Sequence, residues 1–291
     1  MTALDEAVAA LAANDMARVE AIAGEILKAQ PADPQALQLL AAALSAQGRA
    51  TEALAAYRSA VGWLHGNLAL TQTPFGLHVL QTLGFRPKGI LDIGAFEGAF
   101  ARTARHFFAQ SPILMLEAQP GKEVQLKAIA AQLPDVDYRI VLLGTETRAD
   151  VAFHHVNAAI NSSGSSLYEE QTRYPRDTIS LPMRRLDDVL AEMSGREFDL
   201  LKVDVQGAEI DVLRGGVRTL AGIVAIVIEL SLLEYNKGAP LIGEVMRWLA
   251  EQGFALFDVF PVSRIPTGAL LQVDGIFLRR GSSLWPRAPF F

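Results

Sequence analysis

The chain has 291 residues, enough for one large domain or two modest ones. Hydrophobic residues make up 51% of it and charged residues 20%, a balance typical of an ordered protein with a substantial core. The net charge of −6 argues against nucleic acid as a partner, because no basic run is present to neutralise phosphates. The chain has no cysteine, which excludes disulfides, thiolate metal sites and cysteine nucleophiles, and fits a reducing compartment.

The N-terminal sequence does not have the pattern of a secretory signal, because Asp5 and Glu6 stand where a basic segment would be needed. The most apolar stretch, residues 222–230, is far shorter than the ~18 residues that a membrane span requires. We therefore expect a cytoplasmic protein without a membrane span.

Residues 1–64 are rich in alanine and predicted to be helical. Between residues 34 and 62, small and aromatic residues occupy the characteristic positions of a tetratricopeptide repeat, namely Ala41, Gly48, Ala53, Tyr57 and Ala60. A weaker copy precedes it. Because such repeats usually need about three copies for stability, we expect these helices to pack on the remaining chain, on a protein partner or on a second copy. A plain helical hairpin without a recognition role is the alternative. Residues 65–87 are predicted to form a linker that is helical near its end.

Residues 89–98 form the central motif of the chain. Residues 90–93 read as a short apolar strand, Gly94 and Gly98 bracket a tight turn, and a helix is predicted from residue 99. The dinucleotide fingerprint G-x-G-x-x-G is not met, since what remains is Asp92-x-Gly94-x-x-x-Gly98. A pyrophosphate would need bare backbone N–H groups packed against it at the start of the helix. The spacing found here therefore favours a cofactor that has no pyrophosphate.

A second strand, residues 112–118, carries Glu117 near its end. An acidic residue at this position can accept hydrogen bonds from the hydroxyls of a ribose. The third strand is predicted at residues 138–143, followed by Gly144. Asp92 and Glu117 in one β-α-β unit together indicate a nucleoside-containing cofactor.

These residues resemble the S-adenosylmethionine site of class I methyltransferases. Residues 198–209 read Phe-Asp-Leu-Leu-Lys-Val-Asp-Val-Gln-Gly-Ala-Glu and resemble the hallmark segment of the FkbM family of methyltransferases. The resemblance runs from about residue 88 to 280. It implies an α/β fold in residues 88–291, with a seven-stranded, doubly wound, Rossmann-like sheet preceded by the small all-α helical-repeat domain. It also implies S-adenosyl-L-methionine as cofactor and a hydroxyl of a sugar, glycan or polyketide as the methyl acceptor.

On this interpretation the cofactor contacts the ends of the first three strands and the turn after the fourth. The predicted cofactor-binding residues are Asp92, Gly94, Ala95, Phe96, Gly98, Glu117, Ala118, Leu143, Gly144 and Gln206.

Two further acidic residues, Asp204 and Glu229, end the predicted fourth and fifth strands, where ligands of open α/β sheets bind. Transfer of a methyl group to a hydroxyl needs a base, so we expect Asp204 to act as general base or to orient the acceptor, with Glu229 assisting. Lys202 shares a strand face with Asp204 and could keep a carboxylate ionised, or form a merely structural ion pair. Alternatively, Asp204 and Glu229 could hold Mg²⁺. His155, on a predicted strand at residues 151–156, is an alternative base.

Residues 145–190 interrupt the α/β pattern with a predicted ribbon and a turn-rich loop at residues 161–166. Loops on a rigid scaffold often carry specificity, so we expect this insertion to lie beside the cofactor and to close over substrate. Two other functions remain open at this level. One is a nicotinamide-dependent oxidoreductase, which the missing glycine disfavours, and the other is a non-catalytic repeat-bearing scaffold with a vestigial cofactor fold.

Overall fold

The computed structural model describes residues 2–31, 33–49, 52–53, 56, 73–156, 164–172, 174–193 and 195–285. The chain divides into two units, Met1–Thr71 and Gln72–Phe291. Among the described residues, no helix has the length and apolar character needed to cross a membrane. The predicted repeat positions Tyr57 and Ala60, linker residues 65–72 and loop residues 161–163 lie outside the described residues.

In the described part of the first unit, three helices have defined bounds, α1 (Ala3–Ala12), α2 (Met16–Ala29) and α3 (Pro34–Ala46). Each begins after a residue whose side chain accepts a hydrogen bond from a backbone N–H of the first turn; these residues are Thr2, Asp15 and Asp33 respectively. The three helices pack through small buried residues such as Ala7, Ala23 and Ala43. Small side chains at these positions let the helix backbones approach closely.

The predicted repeat positions in the described part fit this packing. Ala41 and Ala53 are buried in one cluster with Leu44. Gly48 turns the chain after α3 with φ +75°, a left-handed conformation that favours glycine.

The second unit is built on a large mixed sheet. In chain order the strands are β1 (Ile90–Ile93), β2 (Ile113–Glu117), β3 (Val136–Ile140), β4 (Leu142–Leu143), β5 (Arg148–Val156), β6 (Arg176–Arg184), β7 (Leu200–Val203), β8 (Ala225–Ser231), β9 (Phe254–Arg264) and β10 (Leu270–Arg279). Seven of them form one sheet in the order β3-β2-β1-β7-β8-β10-β9. The first five are parallel, whereas β10 runs antiparallel to both β8 and β9. The predicted seven-stranded, doubly wound sheet is therefore confirmed, and its order reverses between β1 and β7.

Helices flank this sheet. They are α4 (Thr73–Thr82), α5 (Ala99–Phe107), α6 (Glu123–Gln132), α7 (Leu186–Ala191), α8 (Glu209–Arg214), α9 (Val217–Gly222) and α10 (Ile242–Glu251). Helix α4 falls in the segment predicted as a linker, yet its Leu77 and Leu80 are fully buried in the core of the second unit. The two short helices after β7, α8 and α9, are separated by Gly215 and Gly216. Gly215 packs so closely on the carbonyl oxygen of Gly144 that a Cβ would clash there.

Alternate residues of the central strands build two cores, one on each face of the sheet. Leu91, Leu201 and Ile226 belong to one core. Ile90, Leu200 and Ala225 belong to the other, which also holds α4. Near the carboxyl ends of the strands, this second face changes from apolar to charged. That charged patch forms the floor of the site described below.

The prediction of one strand over residues 138–143 is wrong. Strand β3 ends at Ile140, and Leu142–Leu143 instead pair in parallel with Met183 and Arg184 of β6. Strands β5 and β6 form the predicted ribbon, so the smaller sheet has the order β4-β6-β5. The sequence from Ile140 to Leu143 is apolar throughout, so nothing in it marks the point where the chain leaves the large sheet. Leu142 and Leu143 therefore pair with the inserted ribbon without a signal in the local sequence.

Candidate active site

The turn after β1 is held in a conformation that glycine alone accommodates at low cost. Gly94 has φ +73°, and a Cβ there would clash with the carbonyl oxygen of Asp204 at the end of β7. Phe96 also has a positive φ, +51°. Its backbone N–H donates to Glu117 Oε2 at 2.8 Å, while Gln119 N–H donates to Glu117 Oε1 at 2.9 Å. The carboxylate of Glu117 thus ties together the turns that follow β1 and β2.

A cavity of about 410 Å³ opens over these turns at the carboxyl ends of the strands. Its volume is in the range of roughly 300–1,000 Å³ found for small-molecule sites. It sits at the β1/β7 reversal of the sheet, where ligands of open α/β folds bind. Nine of the predicted site residues line it: Gly94, Ala95, Phe96, Glu117, Ala118, Leu143, Asp204, Gln206 and Glu229.

Four of the predicted site residues are not part of this lining. Asp92 is fully buried on β1. Gly98 packs against Ile129, and Gly144 packs against Met183 so tightly that a Cβ would clash with its sulfur. His155 is half-buried on β5, where it pairs with Asp177 of β6. From the inserted segment the cavity is lined instead by Phe153, Ser165 and Leu167.

Lys202 connects the buried floor to the cavity. Its ammonium donates to the carbonyl oxygen of Gly94 at 2.8 Å and lies 3.5 Å from Asp92 Oδ1 and 3.6 Å from Asp204 Oδ2. Neither carboxylate oxygen of Asp92 has a hydrogen-bond partner among the described residues. Burial raises the pKa of Asp92, and the charge of Lys202 opposes that effect. Burial lowers the pKa of Lys202, but the carboxylates of Asp204 and Asp92 outweigh it and raise that pKa above its ordinary value.

Three carboxyl groups gather at the end of the cavity beyond Lys202, contributed by Asp204, Glu229 and Asp274. Glu229 of β8 and Asp274 of β10 are directly opposite in register, so their side chains share a face. The side-chain amide of Gln206 donates to Asp204 Oδ1 and to Glu229 Oε2, each at 2.9 Å. The amide of Gln272 also donates to Glu229 Oε2, at 2.7 Å. Burial, reinforced by the charge of Asp204, raises the pKa of Glu229 well above its ordinary value.

Glu209 supports the turn that carries Gln206. Its Oε1 accepts hydrogen bonds from the N–H groups of Val205 and Gly207, at 3.0 and 3.1 Å. Burial raises the pKa of Glu209 to about 7. Glu209, the first residue of α8, therefore fixes the backbone around Gln206.

Sequence reasoning missed three residues that line or support this end of the cavity: Thr73, Gln272 and Asp274. Asp274 had a detectable signal, because it is the one charged residue in the mostly apolar sequence of residues 270–278. Thr73 had none, since it lies in the segment predicted as a linker. Within the described ranges, no group of three or more histidine, aspartate or glutamate side chains is arranged to hold a metal ion.

The arrangement suits a nucleoside cofactor bearing an amino acid. A carboxylate stands at the tip of β2, a glycine turn follows β1, and a buried carboxylate with unpartnered oxygens lies beneath them. Residues 92–256 match the family described as the methyltransferase FkbM domain.

The 2-O-methyltransferase NoeI of Sinorhizobium fredii (strain NBRC 101917 / NGR234) is 29% identical over 210 residues, covering 67% of this chain and 80% of that protein. The N-methyltransferase NodS from Bradyrhizobium japonicum WM9 is 10% identical, covers 71% of this chain and 93% of NodS, and gives a TM-score of 0.43. Magnesium protoporphyrin IX methyltransferase (ChlM) from Synechocystis PCC 6803 is 9% identical, covers 75% of this chain and 81% of that chain, and gives a TM-score of 0.42.

The fold, the cavity and the matched domain define a methyltransferase that uses S-adenosylmethionine. The chain belongs to the FkbM methyltransferase domain family. This membership decides against both alternatives, the nicotinamide-dependent oxidoreductase and the scaffold without catalytic activity.

Proposed function

We propose that this methyltransferase acts on oxygen, transferring a methyl group to a hydroxyl of a sugar or glycan. The observation that carries the proposal is the polar end of the cavity, where Asp204, Glu229 and the amides of Gln206 and Gln272 are linked by hydrogen bonds. Carboxylates and amides together offer the acceptors and donors that a polyhydroxylated molecule requires. The name of NoeI, a 2-O-methyltransferase, supports oxygen as the acceptor atom. A polyketide hydroxyl is the second acceptor class that the resemblance implies.

The residues at the other end of the cavity are proposed to bind the cofactor. A carboxylate has about four lone-pair positions, and the two backbone N–H groups leave Glu117 free to accept from ribose hydroxyls as well. Ala118 and Leu143 offer apolar surface to the base, and Gly94, Ala95 and Phe96 form the wall at the turn after β1. When bound, S-adenosylmethionine supplies a methyl group on a positively charged sulfur, which makes its carbon electrophilic.

The polar end of the cavity, which holds Asp204 and Glu229, is called the acceptor end below. There we propose that Asp204 orients the attacking hydroxyl. Its Oδ1 is fixed by Gln206 and its Oδ2 lies beside the Lys202 ammonium, so the carboxylate has one defined position. The raised pKa of Glu229 favours its protonated form, which can donate a hydrogen bond to the acceptor. Fixing the hydroxyl in line with the methyl carbon supplies much of the rate, since orientation alone can be worth roughly 7–11 kcal/mol.

Replacing Asp204 by asparagine is expected to lower kcat by about 100-fold or more, the usual scale for losing a group that handles the reacting proton or its hydroxyl. Affinity for S-adenosylhomocysteine should stay within about threefold, because Glu117 lies at the other end of the cavity. Methyl transfer to a panel of methyl glycosides, followed by mass spectrometry, measures the first effect, and calorimetry measures the second. Asp150→Asn, an exposed aspartate on β5, is the matched control. Full activity in the Asp204 variant would remove this residue from the mechanism.

The function as a whole is tested by the wild-type protein. It is expected to bind S-adenosylhomocysteine and not NAD in calorimetry, and to methylate a hydroxyl of at least one methyl glycoside in the panel. Methylation confined to nitrogen acceptors would contradict the proposal.

We further propose that Asp204 and Glu229 act without Mg²⁺. Amide N–H groups already occupy Asp204 Oδ1 and Glu229 Oε2, and the nearby Lys202 ammonium repels a cation. Turnover is therefore expected to stay within about twofold of its starting value after excess EDTA, whereas a metal held at these strand ends would be removed. Added Mg²⁺ that restored a loss caused by EDTA would contradict this proposal.

The N-terminal helices are proposed to form a tetratricopeptide-like domain, residues 1–64, that binds a protein partner or a second copy of the chain. Support comes from the buried small residues Ala41 and Ala53 and from the left-handed turn at Gly48. The catalytic domain is proposed to follow the linker and to extend from residue 88 to 291, joined by helix α4 of the second unit.

A further inference from the structure

Asp274 differs from the other carboxyl groups at the acceptor end in what holds it. It lies on β10, lines the cavity, and receives a hydrogen bond on Oδ2 from the hydroxyl of Thr73. Thr73 is the first residue of α4 and lines the same cavity. No amide contacts Asp274 among the described hydrogen bonds, in contrast to the two amides on Glu229 Oε2. Its carboxylate therefore keeps acceptor capacity on the cavity side.

We propose that Asp274 is the general base of the reaction, the group that takes the proton from the acceptor hydroxyl, and that Thr73 positions its carboxylate. This inference rests on the proposed function, a methyl transfer to oxygen. It assigns to Asp204 and Glu229 the orienting roles described above and to Asp274 the proton transfer itself.

The electrostatic surroundings of Asp274 match this task. Burial raises its pKa to about 6, helped by the charge of Asp204, while the Thr73 hydrogen bond and the charge of Lys202 lower it. Its register partner on β8, Glu229, is a further titratable group that faces it among the described residues, whereas its partner on β9 is the uncharged Phe260. A base with a pKa slightly below the working pH is both ionised and strong enough to accept a proton.

The step balances with these groups alone. The hydroxyl oxygen forms a bond to the methyl carbon as the bond from that carbon to sulfur breaks, and its electron pair stays on sulfur. The hydroxyl proton passes to the Asp274 carboxylate. The positive charge of the sulfonium and the negative charge of the carboxylate are both lost, leaving a methyl ether, a neutral thioether and a protonated Asp274. Asp274 then returns its proton to water through the cavity opening.

Thr73 is proposed to affect the rate through the pKa of Asp274. The pH dependence of the rate therefore distinguishes this role from a purely structural one. Its hydroxyl stabilises the ionised carboxylate, so removing it in Thr73→Val must raise the pKa of Asp274. A rate that requires ionised Asp274 rises with pH through that pKa. The acidic limb of the pH profile is therefore expected to move to higher pH in Thr73→Val and to return in Thr73→Ser, which keeps the hydroxyl.

The test measures kcat and kcat/KM against pH for the full chain, with the methyl glycoside of the panel that the wild type methylates fastest. The variants are Asp274→Asn, Thr73→Val and Thr73→Ser, and Asp258→Asn on β9 is the control. We expect the wild-type rate to rise through a pH near 6 and level off above it. Asp274→Asn should lose about 100-fold or more in kcat and lose this limb. Affinity for S-adenosylhomocysteine, measured by calorimetry, should stay within about threefold in every variant, which shows that the fold is intact.

The possible results separate this inference from the function on which it rests. A wild type that binds S-adenosylhomocysteine but methylates no hydroxyl overturns the proposed function, and this assignment with it. A wild type that methylates the glycoside while Asp274→Asn keeps more than a tenth of its rate, or keeps the acidic limb, overturns the assignment of Asp274 alone. An unmoved limb in Thr73→Val overturns the role of Thr73. Loss of the limb in Asp274→Asn, together with its upward shift in Thr73→Val, supports both.

Discussion

Lys202→Met is expected to destabilise the second unit by about 3–5 kcal/mol, the cost found when one partner of a buried ion pair is removed. Asp92 is fully buried, its oxygens have no hydrogen-bond partner among the described residues, and the Lys202 ammonium lies 3.5 Å from Oδ1. Methionine has nearly the volume of lysine but leaves this carboxylate uncompensated in an apolar core. The side chain of Lys202 is only 12% exposed, so water cannot replace the lost charge. Chemical denaturation followed by circular dichroism measures the change.

The companion variant decides whether the loss comes from the unpaired charge. Asp92→Asn removes the buried carboxylate, so the double variant Asp92→Asn with Lys202→Met should recover much of the stability that Lys202→Met loses. Lys88→Met is the matched control, because Lys88 forms an exposed ion pair with Glu197 at 2.7 Å and should change stability little. If Lys202→Met and the double variant were equally unstable, the packing of the lysine stem, and not its charge, would be what the core requires.

Asp92 and Lys202 lie on one face of the sheet, and this face explains why part of the site could be predicted from sequence. A period of two places Asp92 and Gly94 on one face of β1, and Lys202 and Asp204 on the corresponding face of β7. Parallel strands bring these carboxyl ends to the same edge of the sheet. The acidic residues at the strand ends therefore indicated the location of the cavity, although Asp92 itself lies below it.

The rest of the site could not be predicted from sequence, because it depends on contacts between segments that are far apart along the chain. Thr73 and Asp274 are 201 positions apart, and their hydrogen bond exists because α4 packs on the same sheet face that carries Asp274. The pairing of Asp274 with Glu229 depends on the register of an antiparallel strand, which local sequence does not specify when both faces are buried. Gln272 reaches Glu229 through the same pairing.

The inserted segment shows a second reason why sequence alone did not identify all the residues that line the cavity. His155 was predicted from its chemistry as an alternative base and shares a strand face with Phe153, but which residue of that face reaches the cavity depends on where the ribbon docks. That docking is set by the pairing of β6 with β4, which required a break after Ile140 that no glycine or proline marks. Phe153 and Leu167, two apolar residues without a chemical signature, line the cavity instead.

Glu117→Ala is expected to lower the affinity for S-adenosylhomocysteine by about 100-fold or more. Hydrogen bonds to a charged group are worth roughly 1.5–3 kcal/mol each, and ~1.4 kcal/mol corresponds to a tenfold change, so losing two ribose contacts suffices. The change also releases the N–H groups of Phe96 and Gln119, which the carboxylate holds at 2.8 and 2.9 Å. Calorimetry on the full chain measures the affinity, and Glu251→Ala on the exposed surface of α10 is the control.

Comparing ligands separates ribose recognition from support of the turn. The wild type is expected to bind adenosine more tightly than 2′-deoxyadenosine, because only adenosine offers both ribose hydroxyls to the carboxylate of Glu117. In Glu117→Ala this preference should disappear, whereas a turn that merely loosened would weaken both nucleosides equally and leave their ratio unchanged. An unchanged ratio would therefore assign Glu117 to the turn after β1 and require another residue to bind the ribose.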